Sequence, residues 1–302
     1  MGTVLEVTLY GPDPEELARA LEAVFAAAEQ LDALLSVHVG DSDISRLNRA
    51  AGQGPLRVDP LVTDVLAASL SASALTGGAF DVTVGPLVSL WIEAARRDAL
   101  PSEEALSAAR ARVGAAGIRL HGGGRAELRA GTSVDLGGIA KGYALDRMRP
   151  VLEAHGVEAA LLSFGQSSTW ALGTPPDAAG WRLLARAPGG GFAGLVTLRD
   201  QALSVSGSLG QWTEIAGRRY GHVLDPRTGR PLVRRRQALV VAPSATMAEA
   251  LSTALLVLGE DEGLRRVAAQ PGCAGLLLDA DGGRFATPNF EEVARFEPLP
   301  AP

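Results

Sequence analysis

Strand-patterned and helix-patterned runs follow one another along this chain without a strict β-α-β rhythm. That order points away from a doubly wound parallel sheet and toward an α+β fold with largely antiparallel sheets. The run Val4-Leu5-Glu6-Val7-Thr8-Leu9-Tyr10 alternates its side chains as a half-buried strand does. Residues 14–35 then carry apolar residues at helical spacing, with Asp13 as the expected N-cap and Glu15 and Glu16 in the first turn. Residues 40–48 read as a polar loop. Residues 60–76 predict a second helix ended by Gly77-Gly78, and residues 102–112 a third. A hairpin is expected over 117–130, turning at Gly122-Gly123-Gly124. Strand-like runs recur through 159–186, split at Gly165 and at Gly173-Thr174-Pro175-Pro176, and again at 194–198, 202–205 and 238–242. A last helix is predicted over 246–258, with Ser244 as its cap.

The length of 302 residues admits one large domain or two modest ones, and a hydrophobic share of 47% supplies a buried core. A net charge of −6 argues against a nucleic-acid partner, and Arg234-Arg235-Arg236 is too short a run to reverse that. The lone cysteine, Cys273, excludes an intramolecular disulfide and speaks against a cysteine-rich zinc site. No stretch approaches the length of a transmembrane segment. No signal peptide precedes the first strand, so the chain as written is expected in the cytoplasm. A leader removed from ahead of Met1 would instead make it periplasmic or membrane-anchored.

Lysine is almost absent. Lys141 is the only one, so 28 − 1 = 27 of the basic residues are arginine. It lies in Asp135-Leu136-Gly137-Gly138-Ile139-Ala140-Lys141-Gly142, where an apolar run ends, paired glycines turn the chain and helical spacing begins. Such a turn gathers free backbone N–H groups and the positive end of a helix dipole. An ammonium is a compact point charge suited to a phosphate or carboxylate there. Either the chain uses this ammonium, with Asp135 binding a second polar part of the ligand, or one lysine survived by chance. The GxxxxGK[ST] phosphate-loop pattern is absent.

Three further clusters carry chemistry-bearing residues. In Gly77-Gly78-Ala79-Phe80-Asp81, the glycines permit close approach of backbone to a ligand, and Asp81 could accept hydrogen bonds from a sugar or purine. The same residues also read as an ordinary helix-ending turn. In Gly221-His222-Val223-Leu224-Asp225-Pro226, imidazole and carboxylate either face one site, with His222 as general base, or serve the backbone of the turn. In Glu249-Ala250-Leu251-Ser252-Thr253, a carboxylate and a hydroxyl four apart share a helix face, the oxygen-rich set Mg²⁺ prefers. The alternative is a solvated carboxylate with Thr253 in the core.

These segments fall in the order of the motifs of the ApbE family, the FAD:protein FMN transferases. The chain resembles that family from Met1-Gly2-Thr3, through residues 42–48, 77–91 and 135–146, to Ser206-Gly207, residues 222–229 and residues 249–259. The resemblance implies a single flavin transferase domain over 1–302. It would use FAD as substrate with Mg²⁺ or Mn²⁺, join FMN by a phosphoester to a threonine or serine of an acceptor flavoprotein, and release AMP. It further implies that Met1, Ala79, Phe80, Asp81, Asp135, Lys141 and Val223 bind FAD. Gly138 through its carbonyl, Glu249, Ser252 and Thr253 would hold the metal, and His222 with Asp225 would be catalytic.

Three positions depart from the family pattern. Glu249 stands where the family has aspartate, His38 where it commonly has tyrosine, and Gly165-Gln166-Ser167 where it has a Gly-Gly-Asp loop. Two alternatives to transfer therefore stand beside it: hydrolysis of FAD to FMN and AMP, and FAD binding without catalysis.

Overall fold

The computed structural model describes residues 2–208 and 212–299. In chain order the first half runs β1 (Leu5–Tyr10), α1 (Pro14–Leu35), α2 (Asp43–Arg49), β2 (Leu56–Arg57), α3 (Pro60–Thr76), α4 (Gly85–Arg97), α5 (Glu103–Arg110), β3 (Ile118–His121), β4 (Arg125–Leu128) and α6 (Ala140–Ala154). Strands follow: β5 (Ala159–Phe164), β6 (Ser168–Leu172), β7 (Trp181–Arg186), β8 (Phe192–Leu198), β9 (Gln201–Gly207), β10 (Trp212–Ile215), β11 (Arg218–Gly221), β12 (Leu224–Asp225), β13 (Arg230–Pro231) and β14 (Arg236–Ala242). The chain closes with α7 (Ala245–Ala268), β15 (Ala274–Asp279), β16 (Arg284–Ala286), α8 (Phe290–Val293) and β17 (Arg295–Pro298). These elements form two compact units. One comprises the residues up to Leu31, Ile139–Gly207 and those from Arg235 on; the other comprises Asp32–Gly138 and Ser208–Arg234.

The first unit is built on a seven-stranded sheet in the order β1-β5-β6-β9-β14-β15-β16, antiparallel at every pairing. One face packs on the three-stranded sheet β17-β8-β7, with Leu239, Val241, Leu203 and Leu276 meeting Trp181, Val196 and Leu198. Helices α6 and α7 lie against the sheet as well, α7 along β9, β14 and β15 and α6 along β5 and β6. With neighbours on both faces, β14 can be apolar at successive positions, and Ala238 through Ala242 are all buried. The strand β9 instead alternates: Leu203 enters the apolar cluster, while Ser204 and Ser206 reach α7.

Several helices follow their sequence signals. Asp13 accepts from the Glu15 and Glu16 N–H groups at the start of α1, and the Ser244 side chain accepts from Met247 N–H at the start of α7. The helix expected to end at residue 258 breaks at Gly259 (φ 78°, ψ −165°), and a second helical stretch carries α7 on to Ala268. A left-handed Gly77 (φ 62°) ends α3.

The second unit corrects one expectation. Residues 40–48 are not simply a polar loop, because Asp43–Arg49 form α2. Ser42 caps it, Arg46 pairs with Asp43 at 2.7 Å, and Ile44 and Leu47, three apart, are buried on one side. Helix α4 also went without a sequence signal strong enough to read, its start lying at Gly85-Pro86. It buries Leu87 and Trp91 against Leu106 and Ala109 of α5, Ile215 of β10 and Leu224 of β12. The Trp91 indole donates to the Gly229 carbonyl at 2.8 Å and lies 5.4 Å from the Tyr220 ring.

Candidate active site

Two helices of the first unit exchange carboxylates. Asp146, on α6, accepts from the Ala245 and Thr246 N–H groups (2.7 and 2.9 Å) and from the Ser244 and Thr246 hydroxyls (2.7 and 2.6 Å), so it caps α7. Glu249, one turn into α7, reaches back: one carboxylate oxygen accepts the Gly142 N–H of α6 at 2.5 Å, and the other accepts the Lys141 ammonium. The two helix starts can approach this closely because residue 142 is glycine. A Cβ there would lie 2.2 Å from the Ala245 carbonyl oxygen.

The start of α6 suits an anion, and it holds one from the chain itself. Glu249 is 3% exposed. A buried carboxylate is stable only when paired and hydrogen-bonded, and the first turn of α6 with Lys141 supplies both conditions. Neither the pair nor the capping role of Asp146 has a local sequence signature, since each partner lies about a hundred residues away.

Beyond Glu249 on α7, four hydroxyls interlock. Ser252 is fully buried; its hydroxyl lies 3.0 Å from Ser204 Oγ, 2.8 Å from Ser206 Oγ and 3.0 Å from the Glu249 carbonyl. Thr253 Oγ1 lies 3.3 Å from Ser206 Oγ. Ser252 thus has a packing task between α7 and β9, whereas Thr253 is only half-buried.

In the second unit, the glycine-pair cluster and Asp135 come together. The Asp135 N–H donates to the Val82 carbonyl at 2.7 Å, and Val84 bridges Ser133 in parallel. Ala79, Phe80 and Asp81 are buried. The Asp81 carboxylate accepts from the Thr83 N–H (2.8 Å) and hydroxyl (2.6 Å) and, more distantly, from Ser73. The Asp135 carboxylate accepts the Gly137 N–H at 2.8 Å, shaping the turn that leads to Gly138.

His222 is exposed directly after β11, and Val223 beside it is buried. Asp225 is buried, and its carboxylate is gripped by Arg227 through the backbone N–H (2.9 Å) and two guanidinium nitrogens (2.9 and 3.0 Å). The Gly229 N–H closes the turn on the Asp225 carbonyl at 2.7 Å. Asp225 therefore builds the turn that follows His222. Met1 lies outside the described residues.

A family match covers residues 1–277 and is described as the ApbE family. The chain belongs to the ApbE family. It is an enzyme of the transferase class. A FAD:protein FMN transferase of Klebsiella pneumoniae (strain 342) is 33% identical over 298 residues, covering 95% of this chain and 84% of the relative. One of Escherichia coli (strain K12) is 30% identical over 304 residues, 96% of this chain and 86% of that one. Among solved structures, the flavin transferase ApbE from Vibrio cholerae superposes with a TM-score of 0.84 at 28% identity, covering 97% of this chain and 96% of the other. An ApbE protein from Thermotoga maritima gives 0.85 at 27% identity, with the same coverage.

Of the three positions expected to depart from the family pattern, Glu249 sits in the α6–α7 contact. Gln166 occupies the β5–β6 turn with φ 57°, next to Gly165 at φ 64°. His38 is exposed, with its N–H on the Ser36 hydroxyl at 3.3 Å.

Whether these residues suit a divalent cation is decided by donor chemistry. Glu249, Thr253 and a Gly138 carbonyl are oxygen donors, the type Mg²⁺ and Mn²⁺ take. Among the described residues no group of three or more His, Cys, Asp or Glu side chains gathers. A cation at Glu249 would meet one carboxylate and, four residues along the same face of α7, the Thr253 hydroxyl, with water oxygens to complete its shell. The residues fit a hard cation with one carboxylate.

Proposed function

We propose that this chain transfers FMN from FAD to a threonine or serine hydroxyl of an acceptor flavoprotein and releases AMP. What carries the reading is the ApbE match over nearly the whole chain, together with the all-oxygen donor set on α7 beside the chain's only lysine. The acceptor oxygen bonds to the FMN phosphorus, the bond from that phosphorus to the AMP oxygen breaks, and the hydroxyl proton passes to a His222 ring nitrogen. His222 suits this by its exposure at the end of a strand held in place by the Asp225 turn.

The remaining residues position and neutralise, which is most of what phosphoryl transfer asks of a protein. Ala79, Phe80, Asp81 and Asp135 take the adenosine or flavin through backbone and carboxylate groups, and Val223 and Met1 add contacts to the same substrate. Lys141 faces the pyrophosphate. Glu249, Thr253 and the Gly138 carbonyl would hold Mg²⁺, which when bound offsets the charge of the pyrophosphate. Ser252 fixes the helix that carries them. The whole chain is proposed to act as one catalytic domain.

Titration calorimetry tests the binding half of this reading. FAD should bind more tightly than FMN, and Glu249→Ala should keep FAD affinity while losing Mg²⁺-dependent AMP release. Equal affinities for FAD and FMN would remove the adenosine contacts from the reading. AMP release from Glu249→Ala at the parent rate would remove the metal from α7.

A further inference from the structure

We propose that the Lys141 ammonium occupies the cation position on Glu249 while no divalent ion is present, and that an arriving ion displaces it and frees it for the anionic substrate. This rests on the reading that a divalent cation binds at Glu249. The Glu249 carboxylate has two donors of different character. Gly142 N–H is backbone, fixed by the first turn of α6 and by the close crossing at Ala245. Lys141 sits at the end of a flexible four-carbon stem with its side chain 19% exposed, so it can leave toward solvent without moving the helix.

Burial makes some cation obligatory at this carboxylate, because an unpaired buried charge is costly. Two cations on the same oxygen repel at short range. The ammonium and the metal ion are therefore alternatives rather than neighbours. The glutamate side chain reaches the start of α6, where one carboxylate oxygen meets the Gly142 N–H and the other the Lys141 ammonium. Arginine could not serve as well, since its planar fork would hold the carboxylate through two parallel bonds and would not give it up readily. A chain with arginine at every other basic position keeps lysine where the cation must exchange.

Because Lys141 is the only lysine, an N-hydroxysuccinimide acetate ester reports on it alone, with the N-terminal amine as internal reference. Peptide mass spectrometry of the parent chain should show slow acetylation of Lys141 in EDTA. Addition of millimolar Mn²⁺ or Mg²⁺ without FAD should accelerate it about tenfold, within the usual range of coupling between two sites. The N-terminal rate should stay constant. In parallel, Mn²⁺ titration followed by electron paramagnetic resonance should give about tenfold tighter binding to Lys141→Met and no tighter binding to Lys141→Arg. If Mn²⁺ binds through Glu249 yet leaves the Lys141 rate unchanged, or binds Lys141→Met more weakly than the parent, the exchange does not occur. If Mn²⁺ binding to the parent is absent or indifferent to Glu249→Gln, the metal reading itself falls, and this proposal with it.

Discussion

Gln166 holds a backbone conformation that favours glycine. At φ 57° a side chain crowds its own carbonyl, at a cost of about 1–2 kcal/mol that glycine escapes. Glycine returns part of this through the extra freedom of the unfolded chain, about 0.5–1 kcal/mol. Gln166→Gly should therefore stabilise the fold by up to about 1 kcal/mol in urea titration. A destabilised variant would mean that the Gln166 side chain supports the β5–β6 turn. Cys273 gives the second prediction at this scale. It is fully buried with its sulfur 3.4 Å from that of Met247, and burial pushes its thiol up to about 11. An unfolded thiol titrates near about 8.5, so between these values the folded chain holds the proton more firmly. The stability this gives is present below the unfolded value and is lost as pH rises toward 11. The urea midpoint should accordingly fall between about pH 8 and pH 10.5, and fall less in Cys273→Ala. An equal fall in both would remove the thiol as its source.

At the scale of elements, the account turns on the two helix starts that exchange carboxylates. Removing Asp146 leaves four donors at the start of α7 without their acceptor. Asp146→Ala should lower stability by about 1.5–3 kcal/mol, the range of a hydrogen bond to a charged group, and loosen the Glu249 end of α7. Thermal unfolding and amide exchange at Ala245 and Thr246 would show it; parent-like exchange there would assign the cap to Ser244 alone. The same elements show what a sequence can and cannot reveal. Helices α1, α3 and α7 could be read because Asp13, Pro60 and Ser244 are local start signals, and the β3–β4 hairpin because three glycines turn it. Helix α2 is not legible in the sequence, because its apolar contribution is only Ile44 and Leu47 within polar residues, and its fit is decided by tertiary burial. In the site, Lys141 and Glu249 each stood out by residue type and position. Their pairing did not, because contact across 108 residues leaves no periodicity to read. Asp146 stands only at the end of the 135–146 range that resembles the family, and nothing near it in sequence says that it caps another helix.

For the whole molecule, two compact units carry the residues in question. Lys141, Glu249 and Thr253 lie in one, and Ala79 to Asp81, Asp135 and His222 lie in the other. Among the described residues no helix is long and apolar enough to cross a membrane. The central claim is that this ApbE-family chain moves FMN as a unit onto another protein. The direct measurement is intact-mass analysis of a threonine-containing acceptor domain after incubation with the chain, FAD and Mg²⁺, with released AMP quantified in the same sample. The account predicts an acceptor heavier by one phosphoester-linked FMN, one AMP for each, and a rate about 10²–10⁴-fold lower with His222→Ala at unchanged FAD affinity. AMP with free FMN and an unmodified acceptor, or FAD bound with no AMP at all, would contradict it.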